Sequence, residues 1–175
     1  MSDDQRYPVG KYQKPEAVSA KQREGFVQEI DALSRNLQAA VLGLNAAQID
    51  TPYRDGGWTV RQVVHHLADS HMNAVIRFKL ALTEHEPVVK PYDEKAWAEL
   101  PDSKTSPVEL SLAIIEALHA RWIACIRGQS AEKFDLTFRH PERGIMTLNE
   151  LLALYAWHSR HHVAHIVRLR ERMGW

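Results

Sequence analysis

The sequence predicts an all-α fold, a four-helix bundle with long crossover connections, from three observations. Four segments carry apolar residues at helical spacing, and each opens on a Ser or Thr followed three residues later by Gln or Glu. In that capping-box pattern each side chain satisfies a backbone N–H group that the start of the helix leaves free. The connections between the segments are polar and rich in Pro and Gly, with no repeat and no convincing run of strands. They are longer than tight antiparallel hairpins need, which points to crossovers. Finally, 175 residues suit one domain, residues 1–175, in which four amphipathic helices bury one face each against a common core.

The first box is Ser19…Gln22, and its helix repeats Phe26, Ile30, Leu33, Leu37 and Val41. The second, Thr59…Gln62, precedes Val60, Val63, Val64, Leu67, Ala74, Val75 and Phe78. The third, Ser106…Glu109, has Pro107 in its first turn, continues through Leu110, Ile114, Ala117 and Leu118, and stops near Gly128. The last, Thr147…Glu150, starts a helix running from Leu148 almost to the C-terminus. Its stripe is Leu148, Leu151, Leu152, Tyr155, Ile166, Leu169 and Met173. Ahead of it, the segment from Phe134 to Met146 reads as a short extended excursion with Pro141 and Gly144 at its turn.

Composition excludes several function classes. Lys plus Arg and Asp plus Glu both number 22, so no net field draws in nucleic acid or an anionic membrane. The N-terminus, Met-Ser-Asp-Asp-Gln-Arg-Tyr-Pro, lacks a basic stretch followed by an apolar one, and no apolar run approaches a bilayer span. A soluble, cytoplasmic protein is expected. The single cysteine, Cys125, cannot form an internal disulfide and falls among Trp122, Ile123 and Ile126, where a small buried hydrophobe fits. A chain of this size buries about two-thirds of its unfolded surface without staples, so a bound metal would serve function more than folding.

Histidine carries the functional signal. Seven of the ten histidines fall in two clusters, His65, His66 and His71 in the second helix and His158, His161, His162 and His165 in the last. His158 and His162 are four residues apart, on one face a turn from each other, where the apolar stripe should continue. A buried imidazole without a partner costs about 1 to 3 kcal/mol, and two at adjacent turns can share a cation. A third ligand must come from another helix. His65 points away from the apolar stripe and reads as solvated, while wheel geometry leaves His66 and His71 open as alternatives. His161 and His165 sit farther round, as outer or exposed groups. Asn73 and Arg77 share a flank with His66 and can orient a polar substrate, against the plainer reading of a solvated helix edge. Asp69 and Glu150 are possible proton acceptors, with capping or surface roles the plainer reading. Trp58, Trp97 and Trp157 can line a pocket.

The runs Trp58-Thr-Val-Arg-Gln-Val-Val-His-His-Leu-Ala-Asp-Ser-His-Met-Asn73 and Trp157-His-Ser-Arg-His-His-Val-Ala-His165 resemble the DinB superfamily, and within it the YfiT-type metal-dependent hydrolases. The likeness extends from Tyr7-Pro-Val-Gly through Thr51-Pro-Tyr-Arg-Asp-Gly-Gly-Trp58, Pro91-Tyr-Asp-Glu-Lys-Ala-Trp97 and His140-Pro to Arg172-Met-Gly-Trp175. It implies a helical bundle, a homodimer, and one divalent metal per subunit, zinc or nickel, on His66, His158 and His162. Arg160 departs from the pattern, standing where a relative carries a further histidine; a basic residue there would alter substrate preference. Three histidines leave a coordination position open for water or a small-molecule substrate, as in catalytic sites. Hydrolysis by an activated water follows. The alternatives are transfer of a low-molecular-weight thiol of bacillithiol type to an electrophile, which the resemblance also implies, and a non-catalytic metal-binding module.

Overall fold

The computed structural model describes residues 5–175; the first four residues of the N-terminal segment read above lie outside the described residues. Its elements are α1 (Ala20–Val41), α2 (Ala46–Ile49), α3 (Val60–Thr83), α4 (Glu94–Ala98), α5 (Pro101–Thr105), α6 (Val108–Arg127), a 3-10 turn (Ala131–Asp135), β1 (Thr137–His140), β2 (Gly144–Thr147) and α7 (Leu148–Met173). Boxes at Ser19, Thr59 and Thr147 close with both of their hydrogen bonds. The expected box at Ser106 does not. Ser106 instead ends α5, Pro107 caps α6 without a side-chain bond, and the Ser106 carbonyl accepts from Arg61 at 2.7 Å. An Asn45…Gln48 box, not anticipated, opens α2.

The long helices α1, α3, α6 and α7 form the bundle, and side-chain pairs give their directions. Arg23 donates to Asn149, Glu29 pairs with Arg160 and Arg170 donates to the Ala40 carbonyl, so α1 and α7 run parallel. His65 meets Ser111, His71 meets His119 and Phe78 meets Trp122, so α3 and α6 are parallel too. His66 against His158 and Ser70 against Tyr155 make α3 and α7 antiparallel. The pairs α1 with α3 and α6 with α7 thus lie across the diagonals, giving an up-down-down-up order. Chain connectivity between parallel neighbours α3 and α6 demands a crossover, supplied by residues 84–107 with α4 and α5 along it. Among the described residues no helix is long and apolar enough to cross a membrane.

The bundle is all-α as expected, and the excursion ahead of its last helix is a small hairpin in which β1 and β2 pair antiparallel with His140 opposite Gly144. Gly144 takes φ 75° at its turn, a left-handed conformation that glycine adopts without steric cost; the extended excursion was expected here. A correction concerns α6. Val108, Ser111, Ile115, His119, Trp122, Ile123 and Ile126 are buried, whereas Leu110 is 58% and Ile114 41% exposed. Apolar residues occur on both sides of this helix, so periodicity alone selected the wrong stripe.

The core consists of two apolar clusters. One gathers around Phe78, Trp122, Phe138 and Leu152, the other around Leu33, Leu37, Val60, Ile115 and Ile166. On α3, α6 and α7 the chain passes from one cluster to the other through histidine: His71 lies between Leu67 and Ala74, His119 between Ile115 and Trp122, and His158 and His162 between Ala156 and Ile166. The bundle carries a polar layer across its middle.

Candidate metal centre

Three imidazoles converge in that layer. α3 supplies His66, and α7 supplies His158 and His162 from successive turns; one nitrogen of each lies within 4.8 Å of the others. The closest approach is His66 Nε2 to His158 Nε2 at 3.1 Å. Trp58 packs on the His66 ring at a centroid distance of 4.7 Å. Burial holds His66 down at about 4, with the His161 charge adding to it, and burial pushes His158 and His162 well below the ordinary histidine range. At neutral pH all three are therefore neutral rings with a lone pair to offer. Such a donor set suits zinc, nickel or copper better than magnesium or calcium, which prefer oxygen.

A hydrogen-bond chain sets the tautomer of His158. Its Nδ1 lies 3.4 Å from His71 Nε2, His71 Nδ1 lies 2.9 Å from His119 Nε2, and His119 Nδ1 lies 2.8 Å from the Ile30 carbonyl. A carbonyl can only accept, so His119 carries its proton on Nδ1. His71 must then donate from Nδ1 to the free His119 Nε2, and His158 from Nδ1 to His71 Nε2. The His158 Nε2 lone pair is left facing His66, in the orientation a ligand requires. Replacing His119 by phenylalanine will remove the anchor of this chain. The expected result is metal affinity reduced by about 10- to 100-fold with helicity retained, measured by chelator competition alongside circular dichroism.

His71 thus belongs to the core, fully buried at 0% exposure. His65, expected in solvent, is buried as well, its Nδ1 2.7 Å from Ser111 Oγ and its Nε2 3.1 Å from the Ser106 carbonyl. α6 and the α5–α6 junction cover what a lone helix would expose. His161 and His165 are also buried, not peripheral.

A pocket of about 400 Å³ opens beside the three ligand candidates, lined also by Trp58, Trp157, Tyr155 and Arg77. Of the expected helpers, only Arg77 reaches it. Its side chain is buried, Nη2 donates to the Lys90 carbonyl at 3.3 Å, and no carboxylate among the described residues pairs with it. Asn73 turns back to donate to the Asp69 carbonyl at 2.9 Å. Arg160, expected beside the site, is exposed on the far side of α7 and pairs with Glu29 of α1. Trp97 packs on Tyr92 at 4.5 Å, outside the pocket lining. Burial, with help from the Asp102 charge, raises the Asp69 carboxyl to about 6. Glu150 closes the α7 capping box and pairs with Lys14 at 3.0 Å. Cys125 is partly buried against the Trp122 cluster. Sequence reasoning missed His119, assigned to no face, and His140, which lines the pocket from β1; neither had a local spacing signal.

Burial also holds His119 and His161 at about 4 and His165 at about 3, against an ordinary value of 6.5. Below pH 6.5 the unfolded chain therefore binds more protons than the folded one. Stability is complete above pH 6.5 and falls as pH drops toward 4, by up to about 1.4 kcal/mol per pH unit for each histidine. Thermal melts of the metal-free protein between pH 7 and 4.5 will show a steep fall in Tm, and a flat profile would contradict neutral burial.

Comparison with known proteins agrees with this architecture. YfiT of Bacillus subtilis (strain 168), provisionally named a metal-dependent hydrolase, is 53% identical over 170 residues, covering 97% of this chain and 96% of the relative. A Bacillus cereus (strain 03BB102) relative with the same provisional name is 51% identical over 173 residues, 99% of each chain. The solved structure of Bacillus subtilis YfiT, described as a probable metal-dependent hydrolase with an unusual four-helix bundle topology, superposes with a TM-score of 0.95 at 52% identity over 98% of both chains. TT2238, a four-helix bundle protein, shares the fold at a TM-score of 0.56 and 19% identity, over 81% of this chain and 94% of its own. With the DinB superfamily model matching residues 29–166, which contain α3, α6, most of α1 and α7 and the histidine layer, the chain belongs to the DinB superfamily.

Proposed function

We propose that the protein is a metal-dependent hydrolase of small molecules, with one zinc or nickel ion held by His66, His158 and His162 and a coordination position open to the pocket. The observation that carries this reading is the convergence of three neutral imidazoles, within 4.8 Å, in the lining of a pocket of about 400 Å³. Pockets of that size take small molecules. When bound, the ion would supply Lewis acidity to a substrate carbonyl and lower the pKa of a water toward neutrality.

The protein's own groups do the rest. The His119–His71 chain holds His158 Nε2 toward the site. Trp58 covers His66 and limits water access to the ring. Tyr155, in the wall between Arg77 and His158, is held by donating to the Ser70 carbonyl at 3.1 Å. Arg77, a buried guanidinium with no carboxylate partner among the described residues, would grip an anionic group of the substrate.

The same arginine favours one second reading, thiol transfer, in which a carboxylate-bearing thiol cosubstrate docks on Arg77 and its sulfur reaches the metal. Parallel assays separate the two. Protein loaded with zinc or nickel is offered an ester and amide panel, and separately a bacillithiol-type thiol with electrophiles. Metal-dependent hydrolysis without conjugation supports the first reading; conjugation without hydrolysis replaces it with the second.

A further inference from the structure

Five buried side-chain nitrogens among the described residues have no hydrogen-bond partner, and three are the Nδ1 atoms of His161, His162 and His165 on α7. These residues are 7%, 8% and 3% exposed, each more than nine-tenths buried. One nitrogen from each lies within 4.8 Å of the others. Elsewhere in the histidine layer the rings are matched: His65 meets Ser111 and the Ser106 carbonyl, and His71 and His119 meet each other. Buried polar atoms are normally satisfied, so three rings that each carry an orphan nitrogen and lie this close together call for a shared partner.

We propose that His161, His162 and His165 form a second cation site, adjoining the first, for a borderline transition ion such as zinc, nickel or copper. The chemistry of the donors selects the ion. Three imidazole nitrogens with no carboxylate in the set suit these metals and disfavour magnesium and calcium. The rings are held in place from outside. Trp157 stacks on His161 at a centroid distance of 4.4 Å, and Tyr53 stacks on His165 at 4.0 Å. His165 Nε2 lies 3.4 Å from the Arg6 carbonyl. A proton donated there leaves Nδ1 as the lone pair, and a carbonyl on the far nitrogen is the usual brace of a metal-binding imidazole.

His161 and His165 repeat the i, i+4 spacing of His158 and His162, so α7 carries two such pairs offset by three residues. His162 belongs to both sets. Its two nitrogens sit on opposite edges of one ring, so it can serve both ions; the ring proton then leaves to solvent as the second cation enters. His161 also lines the pocket of the first site, giving an entry path.

The test is a metal count on the full chain. Protein stripped by chelator is titrated with zinc against a chromophoric chelator, with magnesium as the control. Wild type is expected to take two equivalents, and His165→Phe and His161→Gln one each, with helicity unchanged by circular dichroism; His66→Phe should still fill the second site. Saturation of wild type at one equivalent that both α7 variants retain would overturn the proposal, with the three nitrogens bridged by a buried water. One equivalent kept by His66→Phe but lost in His165→Phe would support this site and remove the first.

Discussion

Replacing His158 by alanine is expected to lower affinity for zinc or nickel at the first site by roughly two to three orders of magnitude and to abolish metal-dependent turnover. Binding energies of about 10 to 16 kcal/mol for four-ligand zinc sites amount to about 2.5 to 4 kcal/mol for each ligand. His158 is the centre of the arrangement. Its Nε2 lies 3.1 Å from His66 Nε2 and its Nδ1 anchors the chain through His71 to His119. The fold should persist, because apolar clusters on either side of the histidine layer hold the helices together. Metal analysis after dialysis, with circular dichroism as the control, checks both halves. Unchanged affinity in a folded variant would remove His158 from the ligand set and the proposed site with it.

Phe78→Ala will produce a large loss of stability. Phe78 is fully buried at 0% exposure, with Trp122 at 6.1 Å and Phe134 at 6.4 Å between ring centroids. It joins α3 to α6 and to the 3-10 turn that precedes the hairpin. Removing such a ring costs about 3 to 5 kcal/mol, since lost burial is compounded by a cavity that the close-packed neighbours cannot fill. For a chain of this length that corresponds to a fall in Tm of roughly 10 °C. Urea unfolding with an unchanged m-value would confirm a stability effect; a loss below about 1 kcal/mol would show that the cluster collapses into the space.

Much of the helical architecture was legible in the sequence because its signals are local. Ser19, Thr59 and Thr147 each reach a partner three residues away, and that geometry needs no other part of the chain. Where the local signal competed with tertiary demand, it lost. Ser106 has Glu109 at the right spacing, yet the crossover needs its carbonyl for Arg61 and His65, and α6 begins after Pro107 instead.

The candidate site divides in the same way. The pairing of His158 with His162 follows from one turn of α7 and was readable from spacing alone. His66 against His71 was not readable from the wheel; resemblance pointed to His66, and the structure brings it to 3.1 Å from His158 while placing His71 one hydrogen bond behind. The burial of His65, the departure of Arg160 toward Glu29, and the entry of His119 into the layer all depend on which helix lies beside which. By itself, then, the sequence determined the starts of α1, α3 and α7, a four-helix plan and a histidine pair on α7, since hydrogen bonds and spacing within one helix decide these. Only the tertiary structure decided the up-down-down-up order, the buried face of α6 and the partners of each remaining histidine. Those are contacts between segments distant in the chain, and a helix with apolar residues on both sides acquires an inside only when its neighbours are in place.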